Sequence, residues 1–280
     1  MLIIGDSLKE LEKLLSNSID AGVTSPPYNK QENKKGWLVK NVKYDKASDK
    51  KDESIYQKEQ IAVLDELYRV IKPGGSFFYN HKIRWERGVL IHPLEWILKT
   101  KWNLRQEIIW DRQIAANIRG WRFWQVEERI YWLEKPKNKN LIGKELLSKH
   151  ALLTSVWRIR PEQKNSHPAP FPLELPIRCI YSIMDNAQGT IIDPYCGSGT
   201  TLAAAKILGH KYVGIDISQK YIEQAKARLE NINGEKQKAN DELALHIVKE
   251  TFKQKKKNGL YKSRDTENQD AIQKQGFLFS

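Results

Sequence analysis

The feature that most constrains the fold is a regular alternation of short apolar segments with segments of helical period. In the final third of this 280-residue chain, strands are predicted over 190–193 and 212–216, each followed at once by a helix, over 200–208 and 219–231. Successive strands joined by helices run parallel, because each helix returns the chain to the starting edge of the sheet. The sequence therefore predicts an α/β fold with a doubly wound, mostly parallel sheet.

The alternation also covers the first 110 residues, but it is lost between 111 and 165, where Trp and Arg are dense. The other predicted elements are strands over 2–4, 19–24, 76–80 and 104–110, a helix capped by Ser7, and helices over 55–71, 93–100 and 173–184. Residues 30–52 are predicted to form a Lys-rich loop. We expect four segments: a first half of the α/β domain at 1–110, a small inserted region at 111–165, a second half at 166–232 and a basic polar tail at 233–280.

A glycine-containing turn joins the predicted strand 190–193 to the helix that follows it. Glycines allow a backbone to approach a ligand closely. One strand later, Asp216 stands at a strand end, 19 residues after Gly197, where nucleotide-binding α/β folds place the acid that binds ribose hydroxyls. A tight turn without a cofactor is the alternative, and a dinucleotide is disfavoured because half of its glycine pattern is missing. The turn reads Asp193-Pro194-Tyr195-Cys196-Gly197-Ser198-Gly199-Thr200.

A second turn, Ser25-Pro26-Pro27-Tyr28, follows the predicted strand 19–24. Two prolines restrict the backbone and direct the Ser25 hydroxyl and the Pro26 carbonyl towards one point. Two such acceptors suit the exocyclic amine of a nucleobase, whose lone pair is delocalised until its N–H groups are bound, and the Tyr28 ring can stack on a base rotated out of a duplex. Transfer to that amine is direct and needs no cysteine nucleophile, so Cys196 is interpreted as a small loop residue. An ordinary surface turn is the alternative.

Together, the two turns resemble those of the β-class DNA amino-methyltransferases, over roughly residues 1–232. The resemblance implies a Rossmann-like fold dependent on S-adenosyl-L-methionine (SAM), with a circularly permuted motif order: a catalytic half at 1–110, a target-recognition insertion at 111–165 and a SAM-binding half at 166–232. It implies catalytic roles for Ser25, Pro26, Pro27 and Tyr28. The implied SAM contacts are Asp6, Thr24, His167, Pro170, Asp193, Pro194, Tyr195, Cys196, Gly197, Ser198, Gly199, Thr200 and Asp216.

The resemblance also bears on the target base. Within the family, Asp or Asn in the first position of the catalytic turn accompanies adenine N6 methylation, whereas Ser after an aliphatic residue and Thr, as in Val23-Thr24-Ser25, resembles the cytosine N4 enzymes. We therefore expect site-specific methylation of cytosine N4 in double-stranded DNA by base flipping. Adenine N6 is the nearest alternative. A SAM-binding DNA binder without turnover is more remote, as is methylation of RNA or protein.

Charge and composition indicate the partners. The formal net charge of +13 favours a polyanion. Arginine can grip phosphate or read guanine, so we expect DNA contacts at Arg112, Arg119 and Arg122, with Lys34 and Lys35 holding phosphates from the Lys-rich loop. The alternatives are that many aromatic residues of 111–165 form core and that the lysines are merely solvated.

Several further expectations rest on weaker sequence patterns. His167 has no partner at metal-ligand spacing, so no metal site is predicted. Two cysteines and no membrane-spanning segment suggest a cytoplasmic protein. The resemblance implies a restriction-modification system with a cognate restriction endonuclease. The segment Gln275-Gly276-Phe277-Leu278-Phe279 resembles peptides that dock on bacterial sliding clamps; packing of this apolar end on the protein itself is the alternative.

Overall fold

The computed structural model describes residues 1–29, 51–115, 120–137, 154–162, 171–184, 188–246 and 256–259. Its strands are β1 (Leu2–Ile4), β2 (Ile19–Thr24), β3 (Ile71–His81), β4 (Arg84–Glu86), β5 (Val89–Ile91), β6 (Asn103–Asp111), β7 (Glu127–Glu134), β8 (Val156–Arg158), β9 (Thr190–Asp193) and β10 (Lys211–Asp216). Its helices are α1 (Ser7–Glu12), α2 (Glu53–Val70), α3 (Leu94–Ile97), α4 (Glu174–Met184), α5 (Thr200–Ile207), α6 (Gln219–Glu230) and α7 (Asn233–His246).

Eight strands form one sheet in the order β1-β10-β9-β2-β3-β7-β6-β8, and β4 and β5 form a separate hairpin. The first five strands of this order are parallel, β7 is antiparallel to both neighbours, and β8 is parallel to β6. Apolar residues of α4, α5 and α6 pack on one face of the sheet, and those of α1, α2 and α3 pack on the other. The predicted doubly wound, mostly parallel α/β fold is therefore confirmed.

The predicted inserted region, 111–165, needs correction. Strand β7 lies inside it in sequence, yet it pairs with both β3 and β6 in the middle of the sheet, and β8 extends the same sheet. Trp132 and Trp157 are core residues. Strand order depends on contacts between distant segments, and the local pattern carried no sign of it. Of the described residues in this region, only those outside the two strands can form a separate recognition segment.

The predicted polar tail, 233–280, also needs correction, because its first part is the helix α7. Ala239 of this helix is buried against the core, and Glu242 forms a buried ion pair with Arg178 of α4. A helix with so few apolar residues has no clear hydrophobic period, so the sequence pattern missed it.

Among the helices that the structure describes, none combines the length and the hydropathy that a membrane span requires.

Candidate active site

The two turns singled out in the sequence meet at one edge of the sheet. Strands β2 and β9 are adjacent and parallel, so their carboxyl ends lie side by side. The Thr24 hydroxyl, at the end of β2, donates a hydrogen bond to Asp193 Oδ1, at the end of β9, over 2.6 Å. We call Ser25–Tyr28 the catalytic turn and 193–200 the cofactor turn. The carboxyl edge of a parallel sheet is where α/β folds bind ligands.

The cofactor turn depends on left-handed backbone at its glycines. Gly197 and Gly199 have φ of 47° and 82°, and a Cβ on Gly199 would stand 2.9 Å from Ala225 Cβ of α6. The Gly197 N–H donates to Asp216 Oδ2 over 2.9 Å, and the Ser218 N–H donates to Oδ1 over 2.8 Å. Backbone donors thus hold the Asp216 carboxylate at the end of β10.

These residues fit SAM by the chemistry of their donors and acceptors. Carboxylate oxygens accept more than one hydrogen bond, so Asp216 can also take the hydroxyls of a ribose. The Gly5 N–H donates to the Asp216 carbonyl over 3.0 Å, which brings the backbone just before Asp6 to the end of β10. The Asp6 side chain caps α1 by accepting from the Lys9 N–H, so the predicted cap at Ser7 is wrong by one residue.

Other side chains of the cofactor turn face inwards. Cys196 and Ser198 are buried, and burial raises the pKa of the Cys196 thiol well above its ordinary value. The Thr200 hydroxyl accepts from Arg228 of α6 over 2.7 Å. The Tyr195 hydroxyl accepts from Gln60 of α2 over 3.4 Å. The Pro194 carbonyl accepts from the Ser7 hydroxyl over 2.5 Å.

Asp193 is buried at the junction of the two turns. Burial raises its pKa to about 6, although the hydrogen bond from Thr24 opposes this rise. Its Oδ1 also accepts from the Tyr195 N–H over 3.1 Å. Removing a carboxylate from water is costly for its charged form, and the raised pKa of Asp193 reflects that cost.

The catalytic turn brings Ser25 and Tyr28 into direct contact. The Tyr28 hydroxyl lies 2.6 Å from Ser25 Oγ, and it donates to Glu128 Oε2 over 2.9 Å. Asn80 Nδ2 donates to the same hydroxyl over 2.7 Å. The ring of Tyr28 is buried, with the His81 ring 4.6 Å away between centroids.

The prolines of the turn are supported from α2. Pro26 is buried and Pro27 is half-buried. The Tyr56 hydroxyl donates to the Pro27 carbonyl over 2.8 Å and lies 2.7 Å from His81 Nε2. The ring nitrogen Nδ1 of His81 lies 2.8 Å from the Lys82 carbonyl, so Nδ1 carries the proton there.

Sequence reasoning missed Asn80 and Glu128, which complete this polar cluster from β3 and β7. One signal existed: Glu128 alternates with Ile130 and Trp132 along a strand, which puts a charge on an apolar face. Arg112 was predicted to contact DNA. It is instead buried, with Nη1 3.4 Å from Glu128 Oε1 and Nη2 donating to the Gln125 carbonyl over 3.1 Å, so its guanidinium is used inside the protein.

An exposed aromatic patch lies at the same sheet edge, between the end of β6 and the start of β7. Phe123 is 98% exposed, and Trp121 and Trp124 are 58% and 61% exposed. Arg122 stacks 4.0 Å over the Trp85 ring of β4. We define the aromatic patch as Trp85, Trp121, Arg122, Phe123 and Trp124.

Some predicted site residues cannot be located. Lys34, Lys35, Arg119, His167, Pro170 and the segment from Gln275 to Phe279 lie outside the described residues. Within the described part of the chain, no group of three or more His, Cys, Asp or Glu residues is arranged to hold a metal ion.

Comparison with known proteins identifies the family. The family described as DNA methylase, covering the N6/N4 methyltransferases, matches residues 19–227. The Type II methyltransferase M.HinfI of Haemophilus influenzae is 28% identical over 253 residues, which cover 82% of this chain and 68% of that protein.

Solved structures share the fold. The PvuII DNA methyltransferase (cytosine-N4-specific) superposes with a TM-score of 0.66 at 20% identity, covering 87% of this chain and 90% of that one. A putative DNA modification methylase from Thermus thermophilus, complexed with SAM, superposes with a TM-score of 0.60 at 24% identity, covering 82% of this chain and 95% of that one.

Proposed function

This chain belongs to the N6/N4 DNA methylase family of SAM-dependent DNA methyltransferases, and on that premise we propose that it methylates the exocyclic N4 of cytosine at a specific site in double-stranded DNA. The choice of cytosine over adenine rests on Ser25. It occupies the position where Asp or Asn accompanies adenine N6 methylation in the resembled family. The likeness to a cytosine-N4-specific enzyme adds support at the level of the fold.

The chain's own groups activate and hold the target amine. Ser25 Oγ and the Pro26 carbonyl accept the two N–H bonds of the amine, so that the nitrogen pyramidalises and its lone pair becomes available. When bound, SAM supplies an electrophilic methyl group on a sulfonium centre. The Tyr28 ring stacks on the rotated base, and its hydroxyl, held by Asn80 and Glu128, keeps the ring in one orientation.

On the cofactor side, Asp216 binds the ribose hydroxyls, and the backbone of the cofactor turn approaches the ligand at Gly197 and Gly199. Asp6 borders the same pocket. Thr24 and Asp193 hold the two turns in register through their hydrogen bond. His167 and Pro170 remain proposed contacts to the methionine end of SAM.

The aromatic patch is the proposed DNA-contacting surface. Exposed aromatic rings stack on bases, and Arg122 contributes a positive charge beside them. Lys34, Lys35 and Arg119 are proposed to add phosphate contacts. A cognate restriction endonuclease and a sliding clamp bound at 275–279 remain predictions from the sequence.

The test is nucleoside mass spectrometry of unmethylated bacterial DNA incubated with the protein and methyl-labelled SAM. Labelled N4-methylcytosine is the expected product. Labelled N6-methyladenine would keep the mechanism and overturn the assignment of the base. Label in neither base, with SAM and DNA both bound, would favour a binder without turnover.

A further inference from the structure

Three side-chain oxygens form a continuous hydrogen-bonded line that starts at the catalytic turn. Ser25 Oγ lies 2.6 Å from Tyr28 Oη, and Tyr28 Oη lies 2.9 Å from Glu128 Oε2. Tyr28 and Glu128 are buried, and Ser25 is half-buried. The line therefore runs from a position that a substrate can reach to an ionisable group inside the protein.

The carboxylate sets the direction of every donor along this line. An ionised Glu128 only accepts hydrogen bonds, so the single proton of the Tyr28 hydroxyl points to it. Asn80 Nδ2 can only donate, and it lies within hydrogen-bonding distance of both Tyr28 Oη, at 2.7 Å, and Glu128 Oε2, at 3.0 Å. The contact between Ser25 and Tyr28 then requires Ser25 to be the donor. Asn80 Nδ2 also donates to Ser25 Oγ, over 3.3 Å, so one lone pair of this oxygen is left to accept from the target amine.

We propose that Glu128 is the terminal proton acceptor for the target amine, acting through Tyr28 and Ser25; this inference rests on the proposed amine methylation. Glu128 is thus a positioning residue for Ser25 as well as the end of a proton relay. The relay serves an exocyclic amine of cytosine or adenine equally, because it acts on the N–H proton and not on the ring.

The atoms balance in the following way. The amine nitrogen forms a bond to the methyl carbon, and the carbon–sulfur bond breaks with its electron pair on sulfur. The nitrogen, now positively charged, releases a proton to Ser25 Oγ. The Ser25 hydroxyl proton moves to Tyr28 Oη, and the Tyr28 proton moves to Glu128 Oε2, which becomes a neutral carboxylic acid.

Arg112 explains how Glu128 can release the proton again. Its Nη1 lies 3.4 Å from Glu128 Oε1, so the carboxylate is buried beside an opposite charge. Protonation of Glu128 leaves the buried guanidinium without its counter-charge, which is unfavourable. The proton is therefore released again after the product leaves, and the site returns to its starting state.

The test uses Glu128→Gln, which keeps an oxygen that can accept from Tyr28 but cannot take up a proton. Single-turnover methylation is measured at saturating SAM and DNA, on whichever base the wild-type protein labels. We expect the rate to fall at least about 100-fold, as for the loss of a general base, with both dissociation constants within about threefold. Glu128→Asp, which restores a carboxylate, should recover at least about tenfold.

Glu127→Gln is the matched control. Glu127 precedes Glu128 on β7, but its carboxylate pairs with Arg129 and not with the catalytic turn, so its rate should stay within about twofold of wild type. A Glu128→Gln rate within threefold of wild type would overturn the relay, as would a Glu128→Asp variant no faster than Glu128→Gln. Binding weakened as much as the rate would also overturn it.

A double-mutant cycle separates a relay from general support of the site. Tyr28→Phe interrupts the line at its middle, so Tyr28→Phe/Glu128→Gln should be no slower than Tyr28→Phe alone. Additive losses would contradict the relay. If Glu128→Gln does not fold, the cycle is run with Glu128→Asp and the same criterion. Wild-type protein that labels neither base would refute the proposed function itself, whereas a labelling wild type with an unslowed Glu128 variant would refute the relay alone.

Discussion

In the cofactor turn, Asp216 is held by the backbone N–H groups of Gly197 and Ser218, which are 19 and two residues away in sequence. In the catalytic turn, Tyr28 is held by the side chains of Asn80 and Glu128, which are 52 and 100 residues away. The two turns lie at one sheet edge but use different kinds of contact. Backbone donors remain whatever side chain is present, whereas a cluster of side chains fails when one member is lost. We therefore expect substitutions in the catalytic turn to remove turnover and leave the cofactor turn intact.

The largest expected effect is on turnover in Ser25→Ala. This change removes an acceptor for the target amine and the first oxygen of the relay, so we expect the single-turnover rate to fall about 10²–10³-fold, as for the loss of one preorganised hydrogen-bonding group. The dissociation constant for SAM, measured by calorimetry, should stay within about threefold. Ser18→Ala is the control, because among the described residues Ser18 Oγ donates only to the nearby Leu15 carbonyl, at an exposed site. A tenfold loss of SAM affinity in Ser25→Ala would show that the two turns are not separable.

The next effect concerns Asp193, at the junction of the two turns, and it is a pH dependence of the free energy of unfolding. Burial raises the pKa of Asp193 to about 6 from 3.8. Between these values the folded protein keeps a proton that the unfolded chain has lost, so the free energy of unfolding falls as pH rises from about 4 to 6. A pKa difference of about two corresponds to at most about 3 kcal/mol.

Asp193→Asn should abolish this contribution, because the amide is neutral and its oxygen can still accept from Thr24 and Tyr195. Urea unfolding of both proteins at pH 4.5 and pH 7 measures it, with the stability of the variant falling less between the two pH values. Parallel pH dependence of the two proteins would mean that Asp193 titrates normally.

The same contrast explains how much could be predicted from the sequence. The bounds of β2 and β9 and the placing of Asp216 at a strand end follow from local patterns of apolar residues and glycines. The position of β7 in the sheet does not, because pairing with β3 and β6 is set by distant segments. Asn80 and Glu128 were missed for that reason. The helix α7 was missed because its packing rests on Ala239, on the partly buried Leu243 and on the ion pair of Glu242 with Arg178.

Asp216→Asn tests the cofactor turn with a smaller effect. One of the two backbone N–H groups that now face carboxylate oxygens would face an amide NH₂ instead, so we expect SAM affinity to fall about 10–100-fold, or about 1.5–3 kcal/mol, as for loss of a hydrogen bond to a charged group. Isothermal calorimetry measures this loss. Asp241→Asn on α7 is the control, because within the described part of the chain its exposed carboxylate accepts a hydrogen bond only from Gln237. Unchanged affinity would exclude Asp216 from the SAM site.

The smallest expected effect concerns the aromatic patch, the part of the substrate side that packs least against the protein. Phe123 is 98% exposed, so Phe123→Ala should leave the melting temperature and the affinity for SAM unchanged. If its ring stacks on a base, DNA affinity at a fixed salt concentration should fall about 5–30-fold, or about 1–2 kcal/mol.

Leu245→Ala is the matched control for Phe123→Ala, because it removes another exposed apolar side chain, from α7, which packs against α4. Fluorescence titration of labelled DNA compares the two variants. Equal DNA affinities would remove Phe123 from the interface and leave DNA contact to Arg122 and the proposed basic residues. A loss of DNA affinity in Phe123→Ala but not in Leu245→Ala would mean that two separate structures act on the substrate. The buried side-chain cluster would bind the target amine, and the exposed aromatic patch would bind the duplex. The cofactor turn, which is held by backbone hydrogen bonds, would contribute to neither of them.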